Sequence, residues 1–190
     1  MRCWRSARSF VLALLVALWT TQCLASGIEP LRASLTQGED EYTLSAQFSV
    51  DLGQHLQEAV TRGVTLTFNL EFELTRPRWY WLDEHIAGVF ITSRLSYNAL
   101  TRQYRLAVGG LHQNFDSFNE ALQVLGHVAA LPVADKSALK PGKTYDAALR
   151  LSLDKTQLPK PFQVDAIANS DWNVEAKVLR WHYTAPGGDK

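Results

Sequence analysis

Apolar and polar residues alternate without a break along one segment of the chain, Val64–Thr75 (VTLTFNLEFELT). Successive side chains of a strand point to opposite faces of its sheet, so this pattern predicts a β-strand with one buried and one solvated face. Pro77 ends the pattern, because proline lacks the N–H that a central strand position requires. The aromatic run Trp79–Trp81 follows at once. The other apolar segments are expected to pack on the dry face of this strand.

The same period-two alternation predicts further strands on both sides of this segment. A proline at position 132 favours an edge position for one of them. In the last one the apolar parity changes by one residue near Val178, which predicts a β-bulge. The predicted strands are Leu31–Thr36, Glu41–Val50, Gly88–Asn98, Tyr104–Val108, Val128–Val133, Lys143–Asp154 and Trp172–Tyr183.

Two short helices are predicted between strands from their capping residues and apolar stripes. Asp51 with Gln54 resembles a capping box, and Gly63 suits a left-handed C-terminal cap. Ser117 with Glu120 opens the second helix in the same way. The segment Leu158–Phe162 (LPKPF) is expected to be extended, since a residue before proline avoids the helical region.

These elements predict a mainly β fold, an antiparallel β-sandwich with two short connecting helices. The alternative is an α+β fold, with one curved antiparallel sheet and both helices on one of its faces. The chain is expected to divide into a signal peptide over residues 1–25, a single β-rich domain over residues 26–184 and a polar tail over residues 185–190.

The N-terminus has the three parts of a cleaved signal peptide. Arginines at positions 2, 5 and 8 precede the uncharged run Phe10–Trp19, and Cys23-Leu24-Ala25 offers small residues at a cleavage site before Ser26. The apolar run is shorter than the about 20 residues that span a bilayer. We therefore expect export to the periplasm and no membrane span after cleavage.

Cleavage after Ala25 leaves 16 basic and 19 acidic residues, a formal charge of −3. A nucleic-acid binder needs a positive excess, so nucleic acid is not an expected partner. Both cysteines, Cys3 and Cys23, lie in the signal peptide, which excludes thiol nucleophiles and thiolate metal sites from the mature chain. No cofactor is implied.

Few residues form a pattern that carries chemistry. The chain lacks the motifs of serine hydrolases and phosphate-binding loops, and its five histidines are not spaced as metal ligands. Asp83-Glu84-His85 is interpreted as a solvated turn, so no metal site is predicted. Glu71 and Glu73 share the wet face of the central strand, where ion pairs with Arg94 and Arg105 are favoured over a glycosidase-like acid pair.

The segment after the central strand is the candidate binding site: Arg76, Arg78, Trp79 and Trp81. Trp and Arg are frequent energetic centres of interfaces, so the segment would suit a partner chain or a glycan. The competing interpretation packs the Trp side chains in the core beneath Arg stems. We expect at least one of the two Trp residues to be buried, and Arg76 or Arg78 to be exposed.

Several segments together resemble the DUF4390 family of uncharacterised exported bacterial proteins. The segments read, in order, AQFSVDLGQHLQEAVTRGVTLTFNLEFEL, RPRWYW, RLSYNALTRQYRL, FNEAL, LSLDKTQLPKPFQV and DWN, and the resemblance covers roughly residues 29–184. The family has no established activity. The resemblance implies a link to envelope signalling, because the family is associated with genes for a membrane sensor kinase and its regulator.

The expected function is therefore that of an exported binding or accessory module of the cell envelope, not an enzyme, with a protein partner there. The alternatives are a hydrolase of an envelope polymer, with Glu71 and Glu73 as acid–base groups, and a structural partner of a membrane complex.

Overall fold

Ten β-strands and three α-helices are present in the computed structural model, which describes residues 27–80, 82–168, 172 and 174–187. The strands are β1 (Gly27–Gln37), β2 (Glu41–Asp51), β3 (Leu66–Arg76), β4 (Glu84–Asn98), β5 (Gln103–Val108), β6 (Leu111–Phe115), β7 (His127–Asp135), β8 (Thr144–Leu153), β9 (Glu175–Ala176) and β10 (Leu179–Thr184). The helices are α1 (Gly53–Thr61), α2 (Phe118–Leu125) and α3 (Lys160–Ala168). The predicted signal peptide, residues 1–25, lies outside the described residues.

The strands form two sheets. The smaller sheet has the order β7-β2-β1-β9, and the larger has the order β10-β8-β3-β4-β5-β6. Neighbouring strands are antiparallel, except for the short parallel pair of β1 and β9. The predicted central strand, β3, lies between β8 and β4 in the larger sheet.

One hydrophobic core is shared by the inward faces of both sheets. Leu66, Phe68 and Leu74 of β3 are fully buried, as the alternation predicts, and so is Leu44 of β2. The rings of Tyr42 (β2) and Tyr183 (β10) meet edge to face across the two sheets, with centroids 6.0 Å apart. The mainly β fold of two antiparallel sheets is thereby confirmed, and the single curved sheet is wrong.

Both predicted helices are present, and each leads the chain from one sheet to the other. Ser117 caps α2 by accepting a hydrogen bond from the N–H of Glu120 at 3.2 Å, as predicted. The cap of α1 differs: Asp51 is the last residue of β2, and its carboxylate accepts the N–H of Gly53 at 2.9 Å, so the predicted box with Gln54 does not form. Gly63 has the expected positive φ, +96°.

The final predicted strand, Trp172–Tyr183, is two strands. β9 pairs with β1 in the smaller sheet, whereas β10 pairs with β8 in the larger one. The parity change near Val178 is therefore a change of sheet, and the predicted bulge is wrong. A chain that crosses between two facing sheets reverses which side of it faces the core, and this leaves the same sequence signature as an inserted residue.

One further prediction is wrong in part, and one strand is missed. Leu158 is extended, as expected for Leu158–Phe162, but Lys160 begins α3. Proline is accepted in a first helical turn, because the N–H groups there have no partner within the helix. The short strand β6 is missed by the sequence pattern, because its residues Leu111–Asn114 are all exposed at the edge of the larger sheet and show no alternation.

Candidate functional site

The residues that connect β3 to β4, residues 77–83, form what we call the aromatic loop. Arg76, at the end of β3, lies opposite Glu84, at the start of β4, and the two side chains form an ion pair that closes the base of the loop. Arg78 contacts the same carboxylate, with Nη2 2.6 Å from Glu84 Oε2. Pro77 cannot extend the ladder, so the strand ends where the sequence predicts.

Three apolar side chains among the described residues of the aromatic loop are exposed to solvent. Trp79 is 94% exposed, Leu82 81% and Tyr80 68%. The rings of Trp79 and Tyr80 contact each other in a T-shaped arrangement, with centroids 5.0 Å apart. Isolated exposed apolar residues are ordinary, but adjacent ones at the end of a hairpin form a patch of the kind found at binding surfaces.

The sequence expectation for this segment is met in part. Trp79 is on the surface. The expectation that at least one of Trp79 and Trp81 is buried stays a prediction, because Trp81 lies outside the described residues. Arg78 is partly exposed, with 36% of its side chain accessible, and Arg76 is half-buried. Their guanidinium groups contact Glu84, because the register of the hairpin places its carboxylate beside them.

Charges at the base of the aromatic loop balance. The hydrogen bond from Arg78 is the largest influence that holds the pKa of Glu84 below its usual range, and the charges of Arg76 and Arg78 act in the same direction. The N–H of Arg78 also donates to Asp83, at 3.4 Å. Two guanidinium groups and two carboxylates therefore leave the loop with no net charge.

The outer face of the larger sheet adjoins this loop and carries the two glutamates. Arg150 of β8 lies opposite Glu71 and donates from both Nε and Nη2 to Glu71 Oε2, at 3.2 and 2.7 Å. The cross-strand ion pair is present, but its predicted partners are wrong. Arg94 lies opposite Thr67, and Arg105 lies on β5, which does not adjoin β3.

His85 reaches the outer face through a β-bulge in β4. The register shifts so that Leu74 pairs with Ala87 but Thr75 pairs with His85, which leaves Ile86 as the extra residue. A bulge turns the side chains before it to the other face. Ile86 packs against the core, and His85 Nδ1 lies 3.4 Å from Glu73 Oε1. The sequence interpretation of Asp83-Glu84-His85 as a turn misses this arrangement.

A shallow groove of about 460 Å³ runs across the outer face, over the small residues Gly88 and Ala148. A second groove, lined in part by the same side chains of Glu73, His85 and Arg180, continues to Asp83 of the aromatic loop. There His182 Nδ1 lies 2.5 Å from Asp146 Oδ1. The surface beside the aromatic loop is therefore polar.

The two glutamates on the outer face are accessible to solvent. The side chains of Glu71 and Glu73 are 39% and 59% exposed, whereas a carboxyl group that acts as a general acid is normally desolvated. Among the described residues, no three His, Asp or Glu side chains come together in a way that could hold a metal ion. The same residues include no helix with the length and apolar character needed to cross a bilayer.

The fold and its outer surface define a β-sandwich with an exposed aromatic hairpin loop. The chain belongs to the DUF4390 family, a domain of unknown function whose family model matches residues 25–182. No curated protein and no solved structure matches the chain.

Proposed function

We propose that the protein is an exported, non-catalytic binding module of the cell envelope, and that the aromatic loop is its contact element. One observation carries this proposal: Trp79, Tyr80 and Leu82 are exposed together at the end of a hairpin, whereas other large aromatic side chains, such as Phe68 and Trp172, are buried in the core. Burial of large aromatic side chains contributes strongly to association.

Each candidate residue has a role in this proposal. Trp79 is the contact residue, since its ring touches Tyr80 and is otherwise open to solvent. Arg76 and Arg78 are positioning residues, which hold the two ends of the loop together through Glu84. Trp81 is assigned to the same contact surface from the sequence alone. A protein partner in the envelope, linked to signalling, remains part of the proposal.

Localisation to the cell envelope is the first part of the proposed function to test. The basic residues, the short apolar run and the small residues before Ser26 support export with cleavage after Ala25. We expect the protein in the periplasmic or envelope fraction to have the intact mass of residues 26–190. A mass that includes residues 1–25 would show that this segment is retained. Recovery of the protein in the cytoplasm alone would contradict the proposed export.

Contact through the aromatic loop is tested by site-specific photocrosslinking in intact cells. A crosslinking residue replaces Trp79 in one variant and Leu100 in the control, because Leu100 is 95% exposed at the end of a different hairpin, the β4–β5 turn. We expect adducts, to protein or to lipid, from position 79 and several-fold fewer from position 100. Equal or absent adducts at both positions would remove the loop from the function.

A further inference from the structure

We propose that the aromatic loop docks into the lipid–water interface of an envelope membrane, with Trp79, Tyr80 and Leu82 entering it from the end of the hairpin. The proposal rests on the proposed function, since it names the membrane as what this contact element meets, beside the protein partner in the envelope. The chemistry of the three side chains, their polar neighbours and the charge balance at the base of the loop favour a lipid surface.

The exposed residues are of the types that favour a membrane interface. Trp and Tyr have an apolar ring and one polar group, so they are enriched at the level of the lipid headgroups. Leu82 adds an aliphatic side chain that is 81% exposed. Together they allow an insertion of one or two side-chain lengths, with the strands of the hairpin remaining in water.

The exposed apolar side chains of the aromatic loop have polar and charged neighbours. Most residues that line the groove reaching Asp83 are polar or charged; besides Ala147, Ala148 and Trp181, the lining consists of Glu73, Thr75, Asp83, His85, Asp146, Arg180 and His182. A stable protein interface buries about 800 Å² per partner. Such an interface would have to cover these charged groups, whereas a bilayer takes up the apolar end and leaves them hydrated.

The charge balance predicts which membranes the loop can enter. The guanidinium groups of Arg76 and Arg78 both contact Glu84, and the backbone N–H of Arg78 donates to the Asp83 carboxylate. Two guanidinium groups and two carboxylates lie together, so the loop offers no net positive charge to anionic lipid. The mature chain is acidic, with 16 basic and 19 acidic residues. Binding should therefore depend on apolar insertion and not on electrostatic attraction.

The test is vesicle co-flotation of the processed protein purified from the envelope fraction. Vesicles contain phosphatidylcholine alone or with 30 mol% phosphatidylglycerol, a composition of about one anionic lipid in three, chosen to reveal electrostatic binding. We expect binding to both, with partition coefficients within about twofold. Trp79→Ala should lower the coefficient about tenfold, and Leu100→Ala, the matched control on the other hairpin, should leave it unchanged.

Thermal melts accompany each variant, and Trp79→Ala should melt like the wild type because its ring contacts only Tyr80 among the aromatic rings described. Absence of binding to both vesicles, binding to anionic vesicles alone, or an unchanged coefficient for Trp79→Ala would each overturn the proposal. If vesicles do not bind but position 79 crosslinks to a protein in cells, the lipid inference fails and the proposed function stands. If both experiments fail, both are wrong.

Discussion

Phenylalanine side chains on neighbouring strands of the larger sheet have opposite environments. Phe68 of β3 is completely buried, and Phe90 of β4 is 63% exposed on the outer face beside Glu71. Both residues lie in regular strand structure, and only the parity of their positions differs. A residue's contribution to stability here is therefore set by the face it occupies and not by its type.

Replacing Phe68 by Ala should lower the free energy of unfolding by about 3–5 kcal/mol, because it removes a buried ring and leaves a cavity. A domain of this kind has only about 5–15 kcal/mol in total. Phe90→Ala is the matched control and should change stability by less than about 0.5 kcal/mol. Urea unfolding of the two variants measures the difference, and similar losses would contradict the assignment of faces.

At the scale of elements, irregularities place the side chains of the outer face. The bulge at Ile86 turns His85 outward toward Glu73, and the crossing between β9 and β10 brings Arg180 and His182 to the edge of the larger sheet. The backbones of β2 and of the C-terminal end of α2 also approach each other closely. There Phe48 of β2 donates its N–H to the carbonyl oxygen of Gly126 at 2.8 Å.

Gly126→Ala should destabilise the protein by about 1–3 kcal/mol, a typical effect of overpacking. A Cβ atom at this position would lie 2.7 Å from the carbonyl oxygen of Phe48, a backbone atom that cannot move alone. Gly110→Ala is the control, because its Cβ atom would meet nothing within 4 Å. Thermal melts compare the two, and equal melting temperatures would show that the helix end shifts freely.

At the scale of the whole molecule, the two sheets meet through a pair of tyrosines. Tyr42 comes from the smaller sheet and Tyr183 from the larger one. Burial is the largest cause that raises the pKa of each phenol, and the neighbouring phenol of Tyr145 adds to the effect on Tyr42. We therefore expect the interface between the sheets to lose stability at alkaline pH.

Stability should fall as the pH rises above about 10, the ordinary pKa of tyrosine. Above that pH the unfolded chain releases phenolic protons that the folded chain still holds, so the contribution is complete below pH 10 and is lost as the pH passes through the raised pKa values. Urea unfolding between pH 8 and about 11 measures this slope. Tyr42→Phe should reduce the fall in the free energy of unfolding with pH, whereas Tyr80→Phe, on the exposed loop, should leave that fall unchanged. Equal slopes for the wild type and both variants would contradict the prediction.

The sequence by itself determined most strands, the buried parity of β3 and the cap of α2, because these depend on local peptide geometry and on residues a few positions apart. The family follows from the same residues. Only the tertiary structure decided the partner of Glu71, since Arg150 is 79 positions away and the order of strands determines which residues face each other.

The tertiary structure also decided the environment of the candidate site. After Pro77 the sequence has no periodicity that would indicate whether the side chain of Trp79 turns toward the core or toward solvent. The register of the hairpin decides this, because it pairs Arg76 with Glu84 and directs the loop beyond the core. The parity change near Val178 is equally ambiguous, because a bulge and a crossing between sheets both shift the alternation by one residue. Local alternation specifies a strand and its faces, whereas strand order and loop direction depend on how both sheets pack around one core.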